Sequence, residues 1–110
     1  MKYFLDTANL EEIRDGLSKG VVSGVTTNPS ILAKEPKTNF LEHIKKIAKL
    51  CTEAGQLPLS VEVFATKPDE MIKQAVEIVR EVGYTNLNIK VPIGYEELGV
   101  INNLYRRGIQ

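Results

Sequence analysis

The 110-residue sequence contains one cysteine, Cys51, and one histidine, His43. A lone cysteine excludes an intramolecular disulfide framework and fits a reducing compartment. Its neighbours make Cys51 a small core residue of a helix rather than a nucleophile. A lone histidine without metal-ligand spacing offers no zinc site, and His43 reads as exposed helix surface. An excess of either charge is also missing, since 14 basic residues balance 14 acidic ones. That argues against nucleic acid or an anionic membrane as partner, because both need a basic excess. The local cluster of Lys45, Lys46 and Lys49 reads as a solvated helix face. No run approaches the ~18 apolar residues of a membrane span, and residues 1–6 are too short for a signal peptide. The expected location is the cytoplasm. Phosphate-loop and G-x-G-x-x-G patterns are absent as well.

What is present is ordinary for a globular chain: 43% apolar residues, 25% charged and a mean hydropathy of -0.13. The length suits one domain over residues 1–110. Short apolar runs alternate with amphipathic segments. Strands are expected at Lys2–Asp6, Gly24–Thr27, Leu59–Phe64 and Leu87–Val91, each followed by a helical pattern. The first helix opens at Asn9, with Glu12 three positions on as a variant capping box. It turns Leu10, Ile13 and Leu17 inward and stops before Gly20. The second runs from about Thr38 to before Gly55, with Phe40, Ile44, Ile47, Ala48 and Cys51 on one face; a short helical turn after Pro29 precedes it. The third starts at Pro68, with Asp69 and Glu70 in its first turn. Met71, Ala75, Val76 and Val79 form its apolar face, and Gly83 closes it. The last spans about Tyr95 to Arg107, with Leu98, Ile101, Leu104 and Tyr105 at helical spacing; Met71 and Tyr105 read as core. Repeated β-α units mean right-handed crossovers and a parallel sheet. Four of them suit an α/β open sheet or half of an eight-stranded barrel. A complete (β/α)₈ barrel needs about 250 residues, and the chain ends at Gln110 where a further strand is expected.

In parallel α/β folds, side chains at the C-terminal strand ends face the site. Each expected strand carries a polar group there: Asp6, the pair Thr26 and Asn28, Glu62, and Lys90. Strand alternation puts Phe4 with Asp6, Thr26 with Asn28, Ser60 with Glu62 and Phe64, and Asn88 with Lys90. The opposite faces carry Tyr3 and Leu5, Val25, Val61 and Val63, and Ile89 and Val91, suited to lie under helices. A consistent register gathers two carboxylates, an amide, a hydroxyl and an amine around one centre. Lys90 stands out, within Leu87-Asn88-Ile89-Lys90-Val91-Pro92. A lysine in a doubly covered strand costs several kcal/mol while charged, so an enclosed Lys90 is expected to have a depressed pKa, as a Schiff-base nucleophile requires. Taken singly, Asp6 also suits a turn cap, Asn28 before Pro29 a turn, and Glu62 with Lys90 a structural ion pair.

Together, Phe4-Leu5-Asp6-Thr7-Ala8-Asn9, Gly24-Val25-Thr26-Thr27-Asn28-Pro29-Ser30, Ser60-Val61-Glu62-Val63 and Ile89-Lys90-Val91-Pro92 resemble the small transaldolase and fructose-6-phosphate aldolase family. Its members are class I aldolases on a (β/α)₈ barrel, and the resemblance, to the N-terminal half, runs along the whole chain in order and spacing. It implies that Lys90 is the Schiff-base lysine and Asp6 the carboxylate beside the substrate's C4 hydroxyl. It makes Glu62 the acid/base working through a water, and Thr26 and Asn28 contacts to the dihydroxyacetone portion. Family members that are fructose-6-phosphate aldolases typically carry Gln at the Glu62 position, which tilts the expectation to transaldolase: transfer of a dihydroxyacetone unit between sugar phosphates in the pentose phosphate pathway, without metal or organic cofactor. Two departures are Gly94, where the family usually has Thr, and the missing second half, which in relatives supplies further donors and the phosphate-binding basic residues. The alternatives are aldolase cleavage of fructose 6-phosphate, an aldolase with another donor such as free dihydroxyacetone or deoxyribose phosphate, and a half-barrel inactive alone. The expected partners are sugar phosphates together with a homo-oligomer or the missing half-barrel.

Overall fold

A computed structural model describes residues 2–27, 40–91 and 97–110. Four strands and four helices alternate among these residues: β1 (Tyr3–Asp6), α1 (Leu10–Ser18), β2 (Val22–Thr27), α2 (Phe40–Glu53), β3 (Leu59–Glu62), α3 (Pro68–Val82), β4 (Leu87–Lys90) and α4 (Glu97–Arg106). The strands form one sheet in the order β1-β2-β3-β4, every pair parallel. Sequential parallel neighbours joined by crossovers of one hand place the helices on one face. The result is four β/α units of a (β/α) barrel. The expected turn of helix after Pro29 lies outside the described residues. No described helix is long and apolar enough to cross a membrane.

Local chemistry explains the element ends. Asn9 caps α1, its Oδ1 accepting the Glu12 amide at 3.0 Å. The returning half of the expected capping box is relayed through Thr7: its hydroxyl donates to Glu12 Oε2 at 2.9 Å and accepts the Asn9 amide at 3.1 Å. Pro68 opens α3, where the missing N–H costs nothing. Gly83 ends α3 at φ 63°, ψ 24°, the left-handed conformation that a side chain would strain.

The core lies between helices and sheet. Val25, Leu59, Val61 and Leu87 from the strands meet Ile13, Ile44, Ile47, Met71, Ala75 and Ile78 from the helices. Several expectations are corrected here. His43 is buried, its Nε2 lying 2.6 Å from the Ala8 carbonyl, so a hydrogen bond offsets its desolvation. Tyr105 is 78% exposed, and Leu98 and Ile101 also face outward. The buried stripe of α4 is Val100 and Leu104, one turn apart, because that pair faces the core. On α3 the third fully buried side chain is Ile78. Tyr3 is 55% exposed because it opens an edge strand.

Gly24 marks a close approach. A Cβ there would overlap the Phe4 ring and sit 2.9 Å from the Pro58 carbonyl oxygen. The ring could rotate away, but the carbonyl accepts the Val25 amide at 2.9 Å and is fixed. Gly24→Ala is therefore expected to destabilise the fold by about 1–3 kcal/mol, read from the midpoint of urea unfolding.

Cys51 is fully buried, and that burial pushes its thiol pKa from 9.0 up to about 11. The unfolded chain releases this proton first, so the contribution to stability is intact below about pH 9 and is lost as pH rises towards about 11. Tyr84 is raised too, by burial and then by Cys51, and works in the same direction. The fall in unfolding free energy over this range should be shallower in Cys51→Ala than in the natural chain; equal slopes would exclude the thiol as a cause.

Candidate functional site

The register turns strand parity into rows. Asp6 pairs with Thr26, Thr26 with Ser60 and Ser60 with Asn88, one polar row across all four strands. Two residues further along, Glu62 pairs with Lys90. Val25, Leu59, Val61 and Leu87 are buried on the opposite face, whereas Thr26, Ser60, Glu62 and Asn88 are half-buried and Asp6 and Lys90 exposed. All of the polar residues lie on the face away from the helices.

The row is bonded at the β1–β2 end. The Thr26 hydroxyl donates to Asp6 Oδ1 at 2.9 Å and lies 3.5 Å from the Leu5 carbonyl. Asp6 is thus oriented by its strand neighbour, while Asn9 does the capping that Asp6 also suited. At the β3–β4 end, Glu62 and Lys90 are adjacent in register. Ion pairs among the described residues include Lys19–Asp15 at the end of α1 and Lys45–Glu42 on α2, and none joins Glu62 to Lys90. The Val63 amide donates to the Lys90 carbonyl at 3.2 Å and extends this ladder one step past the strand.

The five expected site residues therefore fall into two neighbouring pairs and one residue, Asn28, that lies outside the described residues. Asp6 and Asn88 are three strand spacings apart, about 14 Å of sheet, so Asp6 and Lys90 share a face without touching. The expectation that Lys90 is enclosed is corrected: it is exposed. The helices pack on the other face, and nothing within the described residues covers this one.

Ser60 and Asn88 complete the polar row, and strand parity marked them as sharing its face. Gln74 carries no signal in the sequence, and His43 reads there as helix surface, because both lie on helices and act on backbone. His43 holds the Ala8 carbonyl just beyond Asp6. Gln74 Oε1 accepts from the Phe64 and Ala65 amides at 2.7 and 3.0 Å, just beyond Glu62. Concavities lie elsewhere: one of about 240 Å³ between α1 and α2, bordered by Leu10, Arg14 and Lys46, and one of about 360 Å³ beside Phe64, Ala65 and Gln74; neither is lined by Asp6, Thr26, Glu62 or Lys90.

A parallel sheet with its helices on one face and polar strand ends on the other defines a partial (β/α) barrel. Residues 3–110 match the Transaldolase/Fructose-6-phosphate aldolase family, and the chain belongs to it. It is 43% identical over 110 residues to a probable transaldolase of Dehalococcoides mccartyi, covering all of this chain and 49% of that protein. Probable transaldolases of Thermoanaerobacter sp. and Methanococcus vannielii are 43% and 42% identical over the same 110 residues, with 48% of each covered. The chain spans about half the length of the curated relatives it matches.

The buried histidine gives a test of how the Asp6 end is held. His43→Leu fills the space but leaves the Ala8 carbonyl without this donor, and is expected to cost about 1–3 kcal/mol. His43→Gln, whose amide nitrogen also reaches outward as a donor, should recover part of the loss in the same denaturant titration.

Proposed function

We propose that this chain, as one domain over residues 1–110, is the N-terminal half of a transaldolase. It acts in carbohydrate metabolism, at the pentose phosphate pathway, in the cytoplasm. The observation that carries this reading is the pairing of Glu62 with Lys90 at the ends of adjacent strands, on the face that also holds the bonded pair Asp6 and Thr26.

The unprotonated Lys90 amine adds to the C2 carbonyl of a ketose phosphate. Glu62, through a water, delivers the proton with which the carbinolamine loses hydroxide as water, and a protonated imine remains. Asp6 takes the C4 hydroxyl proton, the C3–C4 bond breaks, and its electrons pass into the imine to leave an enamine on Lys90. An aldose phosphate leaves. Another enters, the enamine carbon attacks its aldehyde, and Asp6 returns the proton to the new hydroxyl. Water then hydrolyses the imine and frees Lys90. Thr26 fixes the Asp6 carboxylate, and Asn28 contacts the three-carbon unit. The same residues also serve simple aldol cleavage, with water in place of the second aldehyde at the stage of release.

Exposure of Lys90 favours a companion reading, that these 110 residues alone are inactive. Desolvation is what lowers a lysine pKa towards neutrality, and on this reading the remaining β/α units supply it by closing over the open face. The Gln110 carbonyl accepts the Ile89 amide at 2.8 Å on the outer edge of β4. A second copy of the chain offers the same kind of strand edge.

Borohydride reduction in the presence of fructose 6-phosphate tests both readings. In the chain joined to a second half-barrel, the Lys90 peptide should gain the mass of a reduced dihydroxyacetone adduct, absent from Lys90→Ala. Glu62→Gln should slow adduct formation by about 10²- to 10⁴-fold. The isolated 110 residues should give little adduct. Failure of the joined protein to label Lys90 overturns the proposal.

A further inference from the structure

Beyond Glu62, strand β3 leaves the sheet quickly. Val63 still donates to the Lys90 carbonyl, but the next two amides, of Phe64 and Ala65, have no strand partner. Two consecutive backbone donors at the end of a strand need an acceptor, and water is the ordinary one. Here both donate to a single atom, Gln74 Oε1 on α3, at 2.7 and 3.0 Å. Both partners are N–H groups, so the amide oxygen, not its nitrogen, must face them. The Phe64 ring is held separately by an edge contact with Phe40 of α2, with centroids 4.6 Å apart and planes at 73°. The chain two residues past Glu62 is therefore fixed by its backbone from α3 and by its ring from α2.

We infer that Gln74 is a positioning residue for the reaction: its amide oxygen sets the direction in which β3 exits, and through it the placement of Glu62 and of the Lys90 carbonyl to which Val63 is bonded. This rests on the reading of Lys90 and Glu62 given above. The reasoning is geometric. Glu62 is the last strand residue, so its side-chain direction depends on where Val63 and Phe64 go. A general acid/base must stay within hydrogen-bonding reach of the group it serves, and a displacement near 1 Å in a reacting group costs about 10²-fold in rate. The hydrogen bonds of Gln74 Oε1 go to backbone and to none of the four described site side chains, so its effect passes through the backbone.

The test compares two substitutions in the chain joined to a second half-barrel. Gln74→Glu keeps an oxygen acceptor of the same length; Gln74→Met keeps the length without it. Imine formation is followed by borohydride trapping across ketose phosphate concentrations, and amide hydrogen exchange at Phe64 and Ala65 reports the clamp. Gln74→Met should lower the saturating trapping rate by about tenfold or more, with the half-saturating concentration little changed and both amides exchanging faster. Gln74→Glu should restore the rate to within about threefold and keep the amides protected. If Gln74→Met does not fold, the Glu variant decides: a trapping rate as low as that of Glu62→Gln, with both amides protected, overturns the inference. A folded Gln74→Met that traps at the natural rate also overturns it. A natural protein that traps nothing overturns the Schiff-base reading, and the role of Gln74 in the reaction falls with it, while unchanged amide protection in a folded Gln74→Met removes the clamp and overturns the inference without touching the Schiff-base reading.

Discussion

Sequential parallel strands with crossovers of one hand allow helices on only one face of the sheet, and this constraint divides the molecule. On the covered face, Val25, Leu59, Val61 and Leu87 stack under helices and are buried. On the other, the alternate residues Thr26, Ser60, Glu62, Asn88 and Lys90 hold the polar groups. The period of two along a strand makes the division strict, because a one-residue slip would exchange every buried valine for a polar neighbour. Burial therefore fixes the register, and the register fixes which polar groups meet: Asp6 with Thr26, and Glu62 with Lys90. The stability of the core and the composition of the candidate site are two results of one alignment.

The strand ends need a second device, because polar side chains at the end of a strand are only as well placed as the backbone that follows. Helix and loop side chains supply it. At the C-terminal ends, Thr7 and Asn9 organise the turn after β1, His43 meets the Ala8 carbonyl and Gln74 takes two amides after β3. At the opposite ends, the Tyr84 hydroxyl donates to the Leu57 carbonyl and Asn86 Nδ2 to the Gln56 carbonyl at 2.9 Å. Gln56 itself sits at φ 58°, a left-handed position in which a side chain is unusual, and its bonded carbonyl helps hold it there. Apart from the side-chain pair Thr7 and Glu12, these bonds join side chains to backbone, so they fix loops without adding to the apolar core.

Strand and helix order, the capping role of Asn9 and the face shared by Asp6, Thr26, Glu62 and Lys90 were legible in the sequence, because alternation and capping are local rules. Three features were not. His43 looked like surface because nothing in its spacing marks a partner 35 residues away at Ala8. Tyr105 and Leu98 read as core because helical spacing shows a stripe and not which neighbour it faces; of that stripe Leu104 is buried, together with Val100. Lys90 looked enclosed because a lysine among apolar residues implies two covered faces, whereas its own alternation places it with Asn88 on the uncovered one. In each case the missing information is tertiary: which face of an element has a partner.

That last point separates two contributions of the fold. Burial acts on the apolar residues of the covered face, Val25, Leu59, Val61 and Leu87, and leaves Lys90 in contact with water. Register acts on both faces at once and brings Glu62 beside Lys90 at the ends of adjacent strands. Solvent screens attraction between exposed groups, so adjacency in a ladder does not by itself create an ion pair. Glu62 and Lys90 are thus neighbours because the backbone pairs β3 with β4, and the same valine and leucine burial that fixes that pairing sets their placement.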